Sequence, residues 1–235
     1  MNAGEVYLGS DVLRSLEGAH RYNRALAALL ASVPISGGRV LDFGAGSGEF
    51  ARRLREMGAD VVCIEPDAVM CERLIGEGFV AFRTLEEVTD SFDSVVMMNV
   101  LEHVEDDGAL LTQLAQRMAP EGRLFVFVPA LQILYSKFDA LIGHFRRYSH
   151  DSLERAVSNA GFEVLYIRWF DSLGVLAAMV FKMLRRTEPT ATAVGVYDRY
   201  LFPISQIGDR VLHRFIGKNL YCVAQLNHAR AAQLS

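Results

Sequence analysis

The stretch VLDFGAGSGEF, residues 40–50, decides the fold. A short apolar run ends at Phe43, three glycines follow at positions 44, 46 and 48, and a helix pattern opens at Glu49. Glycines in such a turn admit positive φ and leave no Cβ between the main chain and a ligand. The exposed amides before a helix favour a negatively charged group. The next apolar run, VCIEPD at 62–67, ends in Glu65, 17 residues after Gly48. An acid there can take both hydroxyls of a ribose, the arrangement of doubly wound sheets. The alternative is that the glycines only make a tight turn and Glu65 caps the helix after Pro66. Strand, glycine loop, helix and strand-end acid together favour a nucleoside-bearing cofactor.

Outward from this loop the chain alternates strands and helices. Strands are expected at 39–43, 61–65, 79–82, 92–99 and 123–128, with helices near 49–57, 67–75 and 106–118. Pro120 to Gly122 punctuate before the fifth strand. Apolar strands separated by helices of about ten residues mean βαβ units and a parallel sheet covered on both faces. Ahead of it, residues 10–32 carry an apolar stripe through Leu13, Leu16, Ala19, Tyr22, Leu26 and Leu29, broken at Pro34 and the Gly37–Gly38 pair. Beyond it come a loop or short helix at 129–148, a helix at 149–159, a strand at 162–169 and a last strand at 220–225.

Composition excludes several classes. The 235 residues suit one domain, read here as 1–235, and 51% hydrophobic content rules out disorder. A net charge of -4 is a poor footprint for duplex binding, so no nucleic-acid partner is expected. Mean hydropathy is +0.18, high for a soluble enzyme. The N-terminus shows no basic start followed by an apolar run, and the apolar, uncharged stretch 172–181 is too short to span a bilayer. Cys63 and Cys222 lie in strand-like runs as reduced core thiols, and the expected location is cytoplasmic.

The loop also selects among cofactors. A dinucleotide site wants G-x-G-x-x-G, and Glu49 stands where a pyrophosphate would press on the helix. Asp42 before the loop and Glu49 after it suit a ligand with an amino group and a sulfonium. On VLDFGAGSGEF, VCIEPD, FDSVVMMNVLEHVEDD (92–107) and APEGRLFVFVPA (119–130), in this order, the chain resembles the class I S-adenosylmethionine-dependent methyltransferases. The resemblance spans roughly residues 20–165, with the last strand fitting as well.

It implies an α/β, doubly wound, Rossmann-like sheet of seven strands, the last antiparallel, with N-terminal helices and a helical insertion before that last strand. It implies S-adenosyl-L-methionine as cofactor. Asp42, Gly44, Ala45 and Gly46 would hold its methionine part, and Glu65 its ribose, with Pro66 and Asp67 flanking the adenosine. Thr84 and Leu85 would border the adenine, and Asn99 and Val100 the sulfonium side. Tyr22, on the N-terminal helix, joins the cofactor-binding set.

Asn99-Val100-Leu101-Glu102-His103 ends the fourth strand, where open sheets bind ligands. His103 is a candidate general base; capping the next helix or fencing the cofactor is the alternative. The segment is similar to the E-x-x-E-H of ubiquinone-biosynthesis O-methyltransferases, which holds a divalent ion. Asn99 replaces the first glutamate, which weakens a hard-cation site, so no metal is expected. Glu102 and His103 are the residues that would carry one.

LYSKFDALIGHFRRYSHDSL, residues 134–153, gathers His144, Arg146, Arg147 and Tyr148. His144 and Tyr148 compete with His103 as base. Arg146 and Arg147 are candidate anchors for an anionic acceptor, or fasteners of the rim through Glu102, Asp106 or Asp107. Residues 130–150 and 170–217 stand as substrate-cover or oligomerisation elements. Leu173, Leu176, Met179, Val180 and Met183 make one helical side in the second of these, followed by Lys182, Arg185 and Arg186. Three readings stay open there: an acceptor pocket, a homodimer contact and a peripheral membrane contact.

The expected function is methyl transfer from S-adenosylmethionine to an oxygen or nitrogen of a small, anionic or hydrophobic acceptor. A non-catalytic S-adenosylmethionine-binding regulator or scaffold is the alternative, with a nicotinamide oxidoreductase below it. The last would need G-x-G-x-x-G and a second catalytic domain.

Overall fold

The structure is a computed structural model, which describes residues 19–33, 35, 38–184 and 190–227. The expected helical stripe before Ala19, the break at Pro34 and Gly37, and Arg185 and Arg186 lie outside the described residues. After the helix His20–Ser32 come β1 (Arg39–Phe43), helix Glu49–Glu56, β2 (Asp60–Ile64), helix Ala68–Gly76 and β3 (Val80–Phe82). Then follow β4 (Phe92–Met98), helix Asp107–Ala115, β5 (Met118–Pro129), helices Lys137–Leu141 and His150–Asn159, and β6 (Phe162–Phe170). Helices Gly174–Met183, Ala191–Val196 and Phe202–Leu212 precede β7 (Asn219–Leu226).

Seven strands form one sheet in the order β3-β2-β1-β4-β5-β7-β6. β1 to β5 pair in parallel. β7 runs antiparallel to both β5 and β6. The expected seven-stranded, doubly wound sheet with an antiparallel last strand is the one observed.

The strand sequences explain why both faces are covered. Successive residues go to opposite faces, and both sets are apolar. Leu41, Val62, Ile64, Val95, Met97, Leu124 and Val126 belong to one core cluster. Their neighbours Val40, Val61, Cys63, Val96, Met98, Phe125 and Phe127 belong to the other. Phe43 pairs with Ile64 on one side and Met97 on the other. The glycine loop, Glu65 and Asn99 therefore leave the sheet along one edge.

β5 departs from expectation. Pro120 to Gly122 do not end the preceding element but lie inside the strand. Phe92 pairs with Met118 and Ser94 with Arg123, so the residues between form a bulge in which Glu121 has φ 61°.

Candidate active site

The glycine loop takes the conformation its composition allows. Gly44, Gly46 and Gly48 have φ of 79°, 53° and 81°. A Cβ at Gly44 would stand 2.4 Å from Val100 Cγ2, so the bare backbone of the loop packs directly on the Val100 side chain after β4. The Gly44 and Ala45 amides donate to Ile64 O at 2.8 and 3.0 Å, which ties the loop to β2.

Glu65 sits in the same corner. Its carboxylate accepts from the Gly46 amide at 2.7 Å and the Asp67 amide at 3.0 Å. Burial raises its pKa, against the pull of those two amides. Asp67 caps the helix Ala68–Gly76 through Met70 N, 2.9 Å away. Asp42 is buried at the end of β1, its Oδ2 unpartnered, and burial followed by the charge of Glu65 pushes its pKa up to about 7. A buried acid with one unpartnered oxygen beside a φ-positive loop fits an ammonium group. Thr84 precedes a short 3₁₀ turn, Leu85–Glu87, that begins at the buried Leu85. Pro66 O accepts from the Arg83 guanidinium at 3.1 and 3.2 Å. Asn99 follows β4 at φ 54°, its amide donating to Phe127 O at 2.8 Å. These candidate cofactor residues line one edge of the sheet.

Tyr22 sits farther along the same edge, where β5 and β6 end and β7 begins. Its hydroxyl accepts from Asn219 Nδ2 at 2.8 Å, at the start of β7. Its ring packs on Phe170 and Phe202 at 5.6 and 5.1 Å, with Lys218 Nζ 5.2 Å from its centre. Beside it, buried Asp171 accepts from Ser205 Oγ at 2.8 Å and from the Tyr197 hydroxyl, with Lys218 at 3.6 Å. Sequence reasoning passed over Asp171, Lys218 and Asn219 and took Tyr197 only as an aromatic of the insertion; the four are scattered along the chain and carry no motif.

The second polar group gathers after β4. Glu102 is 0% exposed and neither carboxylate oxygen has a hydrogen-bond partner; burial raises its pKa to about 8. His144 Nε2 stands 3.8 Å from Glu102 Oε1, and its Nδ1 lies 3.0 Å from Asp139 Oδ1. The His103 ring meets the His144 ring edge-on at 4.5 Å. Burial, then the nearby His144, lowers the His103 pKa to about 4. Donor atoms of Glu102, His103 and His144 all lie within 4.8 Å of one another, so the three could hold a cation.

Asp139 is the organiser that sequence reasoning missed. It accepts from Ser136 N and Oγ at 2.8 Å in a capping box, and from Arg147 Nε at 2.9 Å. Burial pushes its pKa up, but the His144 and Arg147 bonds outweigh that and hold it well below the usual carboxylate range. The S-x-x-D spacing of Ser136 and Asp139 was its only signal.

The other candidates in this segment find partners inside the chain. Arg147 also donates to Ala130 O at 3.3 Å, and Arg146 pairs with Asp107 at 3.0 Å. Tyr148, 2% exposed, donates to Asp107 Oδ2 at 2.6 Å, and burial raises its pKa. Ala130 and Tyr148 form an isolated bridge, so residues 130–148 close on themselves as a strap over the end of β4. Phe145 N donates to Glu102 O at 2.8 Å and pins the strap there.

A parallel sheet with a reversed last strand, a glycine loop after β1 and an acid after β2 define a nucleoside-cofactor fold of the class I type. Residues 16–167 match the family described as "Methyltransferase domain", so the chain belongs to the methyltransferase-domain family, whose class I members depend on S-adenosylmethionine. A ubiquinone biosynthesis O-methyltransferase of Xylella fastidiosa is 36% identical over 105 residues, 40% of this chain and 43% of that protein. The match thus spans less than half the length of that curated relative. A chain of the Haloferax volcanii complex between the Trm112 methyltransferase activator and a methyltransferase superposes with a TM-score of 0.67. It is 20% identical, over 97% of this chain and 100% of that one. An Archaeoglobus fulgidus SAM-dependent methyltransferase gives 0.60 at 17% identity, over 91% and 98%.

Proposed function

We propose that this chain transfers the methyl group of S-adenosylmethionine to an oxygen of a small acceptor, with His103 receiving the acceptor's proton. One observation carries the chemistry. A neutral-leaning imidazole, a second imidazole and a buried carboxyl with free oxygens meet where β4 ends, next to Asn99 and Val100. The relative named an O-methyltransferase supports oxygen over nitrogen.

In this reading Asp42 meets the cofactor's ammonium, Glu65 its ribose, and Asn99 and Val100 its sulfonium side. S-adenosylmethionine bound there would supply a methyl group on a sulfonium, so that the acceptor oxygen would gain the C–O bond while the S–CH₃ bond gave its electron pair to sulfur, leaving S-adenosylhomocysteine. The acceptor hydroxyl becomes strongly acidic as that bond forms, so a base of low pKa suffices and the proton moves to an imidazole nitrogen of His103. His144, oriented by Asp139, holds the His103 ring edge-on in place and gives its positive charge no support, which keeps the resting imidazole neutral. Alignment and exclusion of water supply the rest of the rate enhancement.

Methyl transfer is tested by S-adenosylhomocysteine release across a panel of phenols, carboxylates and amines. His103→Ala should lower kcat about 100-fold or more while S-adenosylhomocysteine affinity stays at the wild-type value. Undiminished turnover in His103→Ala would remove His103 from the mechanism. Failure of the wild type to bind S-adenosylmethionine or S-adenosylhomocysteine would remove the activity itself.

A second reading follows from the Glu102, His103 and His144 donor set. Two imidazoles and one carboxylate suit a borderline cation such as Zn²⁺ better than Mg²⁺. A cation held there would favour the ionised acceptor oxygen. Loss of turnover on chelation, restored by the metal, would replace the base reading by this one.

A further inference from the structure

The helices between β6 and β7 are docked firmly on their inner side. Asp209 accepts from the Asp171 and Ser172 amides, both at 2.8 Å, and Ser205 Oγ accepts from the Leu173 amide at 3.0 Å. Asp198 accepts from the Arg21 and Tyr22 amides at 3.0 and 2.8 Å, which joins the segment to the N-terminal helix. Phe202 is fully buried against Phe170 and Tyr22. The outward faces therefore belong to elements with a defined position.

Those faces are apolar at helical spacing. Leu176, Val180 and Met183 stand outward on the helix Gly174–Met183, with Met183 79% exposed. Ile207, Val211 and Phe215 do the same on and just beyond the helix Phe202–Leu212, with Phe215 72% exposed. Both stripes follow the i, i+4, i+7 or i+8 pattern that normally faces a core. The sequence therefore builds apolar faces on these helices and the fold leaves them outside.

Charge says what covers them. Residues 172–217 contain six Lys and Arg against three Asp and Glu, a net +3 in a chain of net -4. Of the acids, Asp198 and Asp209 are engaged on backbone amides inside the fold. Lys182, Arg199, Arg210 and Arg214 are exposed, and none makes an ion pair with a described residue, although the Lys182 ammonium donates to Ile133 O at 2.6 Å. Among the described residues of this segment the exposed charges are thus cationic, and apolar faces with such charges match an interface of acyl chains and anionic headgroups. A second copy of this chain is a poorer fit, because a two-fold contact would set the same cations against one another. No helix of the described residues is long and apolar enough to cross a membrane, so the contact would be peripheral.

We infer that the outward faces of helices Gly174–Met183 and Phe202–Leu212 form a docking surface for an anionic lipid bilayer. The inference does not depend on the acceptor or on the base.

The test is co-sedimentation of the full chain with phosphatidylcholine vesicles, with and without about 30 mol% phosphatidylglycerol. The wild type should bind the anionic vesicles at least about tenfold more tightly than the neutral ones, and release them at high salt. The pairs Ile207→Glu with Val211→Glu, and Arg210→Glu with Arg214→Glu, should each weaken binding about tenfold or more. Their melting temperatures and S-adenosylhomocysteine affinities should stay at wild-type values. Leu176→Glu with Met183→Glu repeats the test on the other helix, should the first apolar pair disturb folding. Equal binding to both vesicle types, no binding to either, or unchanged binding by all three pairs would overturn the inference. A dimer in sedimentation equilibrium that Ile207→Glu with Val211→Glu dissociates would also overturn it, in favour of a second copy.

Discussion

The two ends of the active edge are built by different means. At the β1–β2 end, contacts are short in sequence: Glu65 reaches Gly46 over 19 residues and Asp67 over two. At the β4–β5 end the contacts inside the strap are short as well, Asp139 reaching His144 over five residues and Arg147 over eight, but those that fasten the end to the rest of the fold are long. Tyr148 reaches Asp107 across 41 residues, Arg146 reaches Glu105 O across 41, and Tyr22 meets Asn219 across 197. The first end is a loop whose glycines and strand-end acids almost determine their own geometry. The second is assembled only when the strap 130–148 and the β6–β7 insertion close over the sheet. A cofactor common to a whole family can be held by the first kind of site. The second kind, proposed to face the acceptor, is free to vary because its residues are supplied by separate segments.

The comparison is tested hardest at Asp139. Asp139→Ala would leave Arg147 and His144 without their carboxylate in a buried strap, a loss of about 3–5 kcal/mol. Chemical denaturation should show it. Because the Asp139 pKa is depressed in the fold, its stabilisation is present above the unfolded carboxylate range and fades as pH falls below it. The gap between wild type and variant should therefore narrow in acid. If S-adenosylhomocysteine affinity fell as steeply as stability, the two ends would not be separable.

Glu65→Ala tests the other end. If Glu65 takes the ribose hydroxyls as proposed, losing those two charge-assisted contacts should weaken S-adenosylhomocysteine binding about 100-fold by calorimetry. Stability should change less than in Asp139→Ala, since Glu65 holds only two backbone amides in the structure. Gly44→Ala sharpens the point further. Its Cβ would meet Val100 at 2.4 Å, on a backbone with φ 79°. A cost of about 1–3 kcal/mol is expected, and Val100→Ala should recover part of it. Full recovery would assign the cost to the clash alone, and no recovery would assign it to the backbone conformation.

The same division explains what was legible in the sequence. β4, FDSVVMM, is apolar on both faces and bounded by polar residues, so its place in the sheet followed from seven letters. The loop, Glu65 and the order of elements followed likewise. β5 was shortened because Pro120, Glu121 and Gly122 look like a turn, and a bulge inside a strand uses the same residues. Arg146 and Arg147 stood out by density, and Asp107 was among the rim acids expected for them, but nothing in the pattern pointed to Asp139 as the partner of Arg147. Asp139 was invisible for the converse reason: its partners are His144 and Arg147, and only the closed strap brings them to it. Exposure of the 174–183 stripe also needed the fold, since its spacing is that of an ordinary core helix.

The smallest expected effect lies in the pH dependence of the glycine-loop end. In the cofactor-free chain Asp42 has a pKa of about 7, so it is largely protonated at pH 6 and largely ionised at pH 8. If its carboxylate receives the ammonium, only the ionised form is competent. Affinity then scales with that fraction, and S-adenosylhomocysteine binding should tighten about tenfold between those two values. The stability of the free chain should run the other way. A raised folded-state pKa means that the contribution of Asp42 is fully present below the unfolded value of 3.8 and is lost as pH rises through about 7. Asp42→Asn should thus bind weakly at pH 8, show a flat affinity profile, and be more stable than the wild type there without ligand. A flat wild-type profile would move the ammonium away from Asp42. The β1–β2 end would then keep only the ribose contact that its local sequence supplies.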